Sequence, residues 1–441
     1  MSDHHVTSAD IPVNGEHLDP AKVSKLKTIC LAIMALGTLA SYVVFLMGNN
    51  PSFQKIAGIY SYSWVFAVFF FFTLSIGGCF WTLLHNVTNS GWGTSVRRIF
   101  ENLGSTLPWM LIFAAPLALP QVQHYLFEWM NEHRAAVGPS REEALHHTNH
   151  LLANKYFYMN IPFWYGRFFF YFVGLGAVII GMRKLSTDQD KDDAPGTWRL
   201  FKARFHSTYT FIIFAITITF AGFDWLMGQD YTWFSTMWGV YLFAGSALNS
   251  MAVIILTAVW LKNNGYLKNV VSEEHFHVKG KLLFAFTIFW AYVSFSQYFL
   301  IWYANVTEET KYFLIRNTGG WNTGMICLVF GHFVIPFVAL LQSRWKRNWN
   351  ILAWISIYTL VMHVLDHYLI TIPERGISLG NIEPTVFGKI QPTIPGAFVG
   401  DIIAFVTVGA GFLFFYLRAM GQHALYPHRD PRILESANIS N

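Results

Sequence analysis

Charge is what this sequence lacks. Asp, Glu, Lys and Arg make up only 12% of its 441 residues, about half the roughly 25% of an ordinary soluble chain. With 54% hydrophobic residues, that scarcity disfavours intrinsic disorder, nucleic-acid binding and a secreted disulfide scaffold. Cysteine is almost absent as well. Cys30, Cys79 and Cys327 are the only three, each inside an apolar stretch. No Cys-x-x-Cys, no Cys-x-x-Cys-His and no Cys/His pair at zinc spacing occurs, so the chain carries no motif for an iron–sulfur cluster, haem c or structural zinc. The formal charge of +5 is read as a topology signal rather than a partner signal.

What is present is a succession of long apolar runs. A membrane-crossing helix needs about 20 such residues. Ten runs qualify: 28–47, 62–84, 105–122, 162–182, 208–227, 236–261, 280–304, 321–342, 350–371 and 398–418. They are too long and lack the alternation of membrane β-strands. The expected fold is an all-α polytopic membrane protein with ten transmembrane helices. Residues 1–27 form a cytoplasmic N-terminal segment, 28–418 the membrane domain and 419–441 a cytoplasmic tail. Most of the 30 Lys and Arg residues fall on the side of the N-terminus, which places both termini in the cytoplasm. Two outer loops are long. Residues 123–161 are expected to form amphipathic surface helices, and 372–397, with Pro373, Pro384, Pro392 and Pro395, an ordered extended cover. Such loops suit a docking surface for a periplasmic partner.

Ionisable groups inside a bilayer cost at least about 2.5–3.5 kcal/mol each near its centre, so each needs a partner or a task. Here they are Arg167, Asp224, His332, His363, Asp366, His367 and Asp401, with Glu308 and Glu309 just beyond the seventh run. Nearly all fall in the outer half; His332 and His363 lie near the middle. His363, Asp366 and His367 share one helical face at i, i+3 and i+4. Carboxylate beside imidazole is a pair that passes protons. The structural alternative is an interhelical ion pair, such as Arg167 with Asp224 or Asp366. The inner half offers mostly hydroxyls, among them Thr217, Thr219 and Ser294. Asp224 and Asp366 each stand near the outer end of an outward-running helix, four helices apart, the pattern of a parallel repeat of four-helix units.

Other patterns are weaker. His146, His147 and His150 lack a His-Glu-x-x-His arrangement, and no metal is expected there. Haem b would need two facing histidines, and His332 with His363 or His367 is the pairing on offer. The aromatic residues, 18% of the chain, are mostly interfacial or lipid-facing material.

Several segments resemble one family. They are Lys155-Tyr156-Phe157-Tyr158-Met159-Asn160-Ile161-Pro162-Phe163-Trp164 followed by Arg167, Phe223-Asp224-Trp225-Leu226-Met227, and Gln297 through Asn305 with Glu308-Glu309-Thr310. The C-terminal Asp430-Pro431-Arg432-Ile433-Leu434-Glu435-Ser436 belongs with them. Together, from about residue 28 onward, they resemble the F subunits of bacterial alternative complex III, within the NrfD and polysulfide-reductase membrane-anchor family. Val306-Thr307 before Glu308 departs from that pattern. The resemblance implies spans 2–5 and 6–9 as two four-helix bundles, in a bacterial inner membrane. It implies a quinol:cytochrome c (electron acceptor) oxidoreductase in which this subunit contributes proton transfer and a second quinone or menaquinone site. Implied partners are a homologous NrfD-like C subunit, a periplasmic iron–sulfur subunit, multihaem and monohaem cytochromes c, small membrane subunits and, in some bacteria, a terminal oxidase. Haem c and iron–sulfur clusters would then sit in partner chains, with no cofactor held by this chain and no catalysis by it alone.

On that reading Asp224, Asp366, His367, His363 and His332 carry protons, with Arg167 pairing a carboxylate. Gln297, Glu308, Glu309 and Asp401 form an outer-half polar set for a quinone. The alternatives are a stand-alone secondary transporter or proton channel, and a purely structural anchor of the complex.

Overall fold

The computed structural model describes residues 5–136, 140–192, 196–379 and 397–440. Most of them are helical, with no β-strand among the described residues. Among the described residues nine helices are long and apolar enough to cross a membrane, and ten if one bent pair counts as a single span. In chain order they are α1 (Pro20–Met47), α2 (Gln54–Val87), α3 (Thr94–Ala118 with Pro120–Leu126), α4 (Ile161–Gln189) and α5 (Trp198–Trp225). α6 (Trp238–Asn263), α7 (Glu273–Ala304), α8 (Trp321–Leu341), α9 (Trp349–Leu379) and α10 (Ala397–Met420) follow.

The bent pair is α3, which turns by 78°. Leu119 is extended at ψ 131° ahead of Pro120, the conformation that a following proline enforces. α1 starts at Pro20, earlier than its apolar run, because the Asp19 side chain accepts from the Ala21 N–H and Pro20 is preset for the first turn.

α2 is the centre of the molecule. It is apolar all round and its most apolar stretch is 94% buried, as expected of a helix with no polar face. It packs against α3, α5, α6, α9 and α10. Gly78 lets the backbone of α3 approach: a Cβ there would stand 2.5 Å from the Gly104 nitrogen, the close contact small residues permit between membrane helices. α1, α7 and α8 are only 17%, 28% and 28% buried over their apolar stretches, so they present apolar surface outward.

Both chain ends meet at one end of the bundle. Leu425 N–H donates to the Glu16 carbonyl, and Val6 and Asn438 exchange hydrogen bonds of 2.8 and 2.9 Å. We call the opposite end distal.

The long segment between α3 and α4 contains short helices at Glu128–Ala135, Arg141–Thr148 and His150–Asn154. The 372–397 cover needs correction in its first part. α9 continues through Pro373 to Leu379 rather than ending near 371; residues 380–396, with Pro384, Pro392 and Pro395, lie outside the described residues. Pro373 lacks the N–H that would satisfy the Leu369 carbonyl four residues back. Arg316 replaces it, donating from Nε to Leu369 O at 2.9 Å and from Nη2 to Ile370 O at 2.6 Å. The helix therefore survives its proline, and Asp366 lies deeper from the helix end than the apolar run indicated.

Candidate functional site

Three buried aspartates sit in the distal half, in two different kinds of environment. Asp224, the penultimate residue of α5, is paired with Arg167 in the second turn of α4. Arg167 Nη2 donates to Oδ1 at 2.7 Å and Nε to Oδ2 at 2.9 Å. Tyr171 donates to Oδ2 at 2.5 Å and Tyr158 to Oδ1 at 3.0 Å. Arg167 also bonds the Tyr158 carbonyl and lies 3.9 Å over its ring. Asp401 in the first turns of α10 repeats the arrangement. Arg375 Nη1 donates to Oδ1 at 2.6 Å and Nη2 to Oδ2 at 3.2 Å, with Ser63 and Tyr368 donating at 2.5 and 2.9 Å. Each carboxylate is filled by a two-pronged guanidinium and two hydroxyls, the strongest class of pairing. Such a site is well made for holding helices together.

Asp366 has no guanidinium. Tyr241 Oη donates to Oδ1, and Trp290 Nε1 to Oδ2 at 3.2 Å. His363 Nδ1 is 3.5 Å from Oδ2, and the same nitrogen is 3.1 Å from His332 Nε2. All three residues are 1% exposed or less. Trp290 stacks flat on the His332 ring at 4.1 Å and 10°. His367 packs against His363 with ring centroids 4.4 Å apart, and its Nδ1 lies 3.3 Å from the His363 carbonyl. Local backbone chemistry presents His332. Pro336 removes the N–H that would bond the His332 carbonyl, and residues Leu328–Val334 widen into a π-helix around it. His332 Nδ1, His363 Nε2 and His367 Nε2 make no hydrogen bond to protein atoms. Of the two pairings for haem b, His332 with His363 does not fit: they touch through their nitrogens, leaving no space for a porphyrin plane between them.

Two small cavities that share Gln297 lie on the distal side of Asp366. A cavity of about 40 Å³ is lined by Asp366, Tyr241, Ser294, Gln297 and Arg316, room for a water or two. Gln297 also lines a second cavity of about 180 Å³ with Ser235, Thr236 and Glu309. The Gln297 Nε2 is buried without a protein partner. Ser294 thus faces the cavity at Asp366 rather than the inner half where the sequence reading put it. Glu309 joins Gln297; Glu308 is exposed and bonds Thr307; Asp401 belongs to the Arg375 cluster instead. A third cavity, about 390 Å³, lies over the Arg167–Asp224 pair and is lined by Tyr158, Phe220, Phe223, Met227, Trp233 and Lys155 among others. Its size is that of a small-molecule site. Burial lowers the Lys155 ammonium, with Asp230 working against the shift.

Several buried groups gave no signal in the sequence. Arg316 and Arg375 read as loop charges, yet both are at most 2% exposed; Arg316 also pairs with Glu374 at 3.0 Å. Lys279 in α7 is fully buried, its Nζ 4.3 Å over the Phe276 ring and without a hydrogen-bond partner. Asn249 in α6 is likewise buried with both amide atoms unbonded. At the terminal end Arg97 bonds Asp430 at 2.6 Å and Glu101 at 3.1 Å, and Arg98 bonds Asp190 at 2.7 Å. Burial would raise the Asp430 carboxyl, but Arg97 and Arg432 outweigh it and hold it down to about 2. His146 and His150 pack ring to ring at 5.8 Å; the side chain of His147 lies outside the described residues.

No protein-family model matches the chain, and no curated protein is significantly similar to it.

Proposed function

We propose that this chain is a membrane subunit of a quinol-oxidising, electron-transport complex, and that its own task is proton transfer through the Asp366–His363–His332 row. The observation that carries this reading is that row: a fully buried carboxylate and two imidazoles in contact, with no guanidinium bonded to the carboxylate, beside a small cavity that Asp366 lines. His363 Nδ1 faces both neighbours, so its proton can be directed to His332 Nε2 or to Asp366 Oδ2 without moving the backbone. Asp366 then hands it to water in the cavity at Gln297, and Glu309 receives it near the distal mouth. General acid–base groups within one water of each other are what such transfer requires.

In this reading Asp224 and Asp401 hold helices together rather than carry protons. The excess of Lys and Arg on the side of the termini supports a cytoplasmic location for both of them, and in a bacterial inner membrane the distal side would then face the periplasm. The flat ring of a quinol suits the 390 Å³ aromatic cavity. Iron–sulfur and haem c centres belong to partner subunits, among them an NrfD-like homologue, an iron–sulfur protein and cytochromes c.

The test is to purify the tagged chain from its own membranes and record a reduced-minus-oxidised visible spectrum, before and after chaotrope strips peripheral proteins. A c-type haem signal that leaves with the stripped proteins supports the assignment. Absence of any redox partner from the purified material contradicts it and favours a stand-alone transporter.

A further inference from the structure

The Asp366 cluster has the dimensions of a metal site as well as of a hydrogen-bonded row. His332, His363 and Asp366 each offer one ligand atom, and these three atoms lie within 4.8 Å of one another. Ligand atoms on a tetrahedral zinc, about 2.0–2.1 Å from the ion, stand about 3.3–3.4 Å apart. The two contacts measured here are 3.1 Å, His332 Nε2 to His363 Nδ1, and 3.5 Å, His363 Nδ1 to Asp366 Oδ2.

Two of the three ligands are also held in place. Trp290 stacks on the His332 ring and donates to Asp366 Oδ2, while Tyr241 fixes the other carboxylate oxygen. A carboxylate ligand fixed by hydrogen bonds in this way is what metal sites use, while the far nitrogens of His332 and His363 make no hydrogen bond to protein atoms. The 40 Å³ cavity against Asp366 has room for the water that would complete four ligands. The cavity shares Gln297 with the one that Glu309 lines, and its Arg316 is paired with Glu374, so the distal side is the nearest access for a cation.

We propose that His332, His363 and Asp366 bind a divalent transition-metal ion of the zinc class, which enters from the distal side and blocks this centre. Two imidazoles and one carboxylate are the donor set for zinc rather than for calcium or magnesium. Binding follows from the ligands alone. Its consequence, a block of proton transfer, rests on Asp366 acting as the carrier.

The experiment uses the protein as purified from its own membranes, stripped with chelator, loaded with Zn²⁺ and desalted. Bound zinc is counted by elemental analysis and its shell read by X-ray absorption. The wild type is expected to retain a tight equivalent per chain, with a nitrogen and oxygen shell containing imidazole. His332→Gln and Asp366→Asn each lose that equivalent, and a variant lacking His146 and His150 keeps it. A wild-type shell without imidazole, or no tight zinc in the wild type, overturns the site whether or not the variants fold. That failure would leave proton transfer standing, because release by Asp366→Asn is measured without added metal.

Discussion

His332 Nε2 and His363 Nδ1 meet at 3.1 Å across α8 and α9, and the same His363 nitrogen lies 3.5 Å from Asp366. Neither Asp224 nor Asp401 has such company; each faces a guanidinium instead. The chain therefore separates two uses of a buried carboxylate. One is locked by an arginine that has no reason to let it change state. The other is surrounded by groups that exchange protons.

The locked kind predicts a stability effect. Asp224→Ala strands the Arg167 guanidinium in a buried site, which costs about 3–5 kcal/mol. Replacing both residues, Arg167→Met with Asp224→Leu, is expected to restore most of the loss, since a buried pair often does little better than apolar residues of its size. Thermal unfolding of the purified protein checks this. Equal Tm for Asp224→Ala and wild type would contradict it.

The proline in α9 makes a second prediction. Arg316→Met leaves the Leu369 carbonyl and the Glu374 side chain without their donor, and each orphaned buried group costs about 1–3 kcal/mol. Adding Pro373→Ala restores a backbone N–H for Leu369 O and is expected to recover about 1 kcal/mol. Hydrogen exchange across 366–379 reports the outcome. No rescue by the second change would mean that Arg316 does not stand in for the missing N–H.

A third prediction concerns acid. The Asp430 carboxyl is held down to about 2 in the folded protein, below its ordinary value of 3.8. A depressed carboxyl contributes stability above its unfolded pKa and loses it as pH falls through the folded one. The C-terminal segment is therefore expected to stay docked on Arg97 down to about pH 4 and to loosen from there towards pH 2. Asp430→Asn loosens it at neutral pH. Limited proteolysis of residues 421–440 follows both, and an unchanged cleavage rate in the variant would refute the anchor.

Most of the helical plan was legible because apolar runs of membrane length carry their own signal. Asp224 with Arg167 was also within reach, as two opposite charges at similar depth. Arg375 and Arg316 were not. Both lie beyond the apolar runs, where a charge normally faces water, and only the continuation of α9 past Pro373 buries them. That continuation is itself invisible in sequence, because the donor that makes it tolerable comes from 57 positions away, at Arg316. The shared environment of Asp224 and Asp401, each on an arginine, was not legible either. Matching partners, not matching sequence positions, define it.

The most direct measurement for the proposed quinol-oxidising complex is proton release into the outer solution during quinol oxidation by the protein as purified from its own membranes and placed in vesicles, comparing wild type with Asp366→Asn. Asn keeps the volume and can accept from Tyr241, so assembly is expected to persist. Transfer through Asp366 predicts release lowered about tenfold or more in an assembled complex. Wild-type release from an assembled Asp366→Asn complex would contradict it.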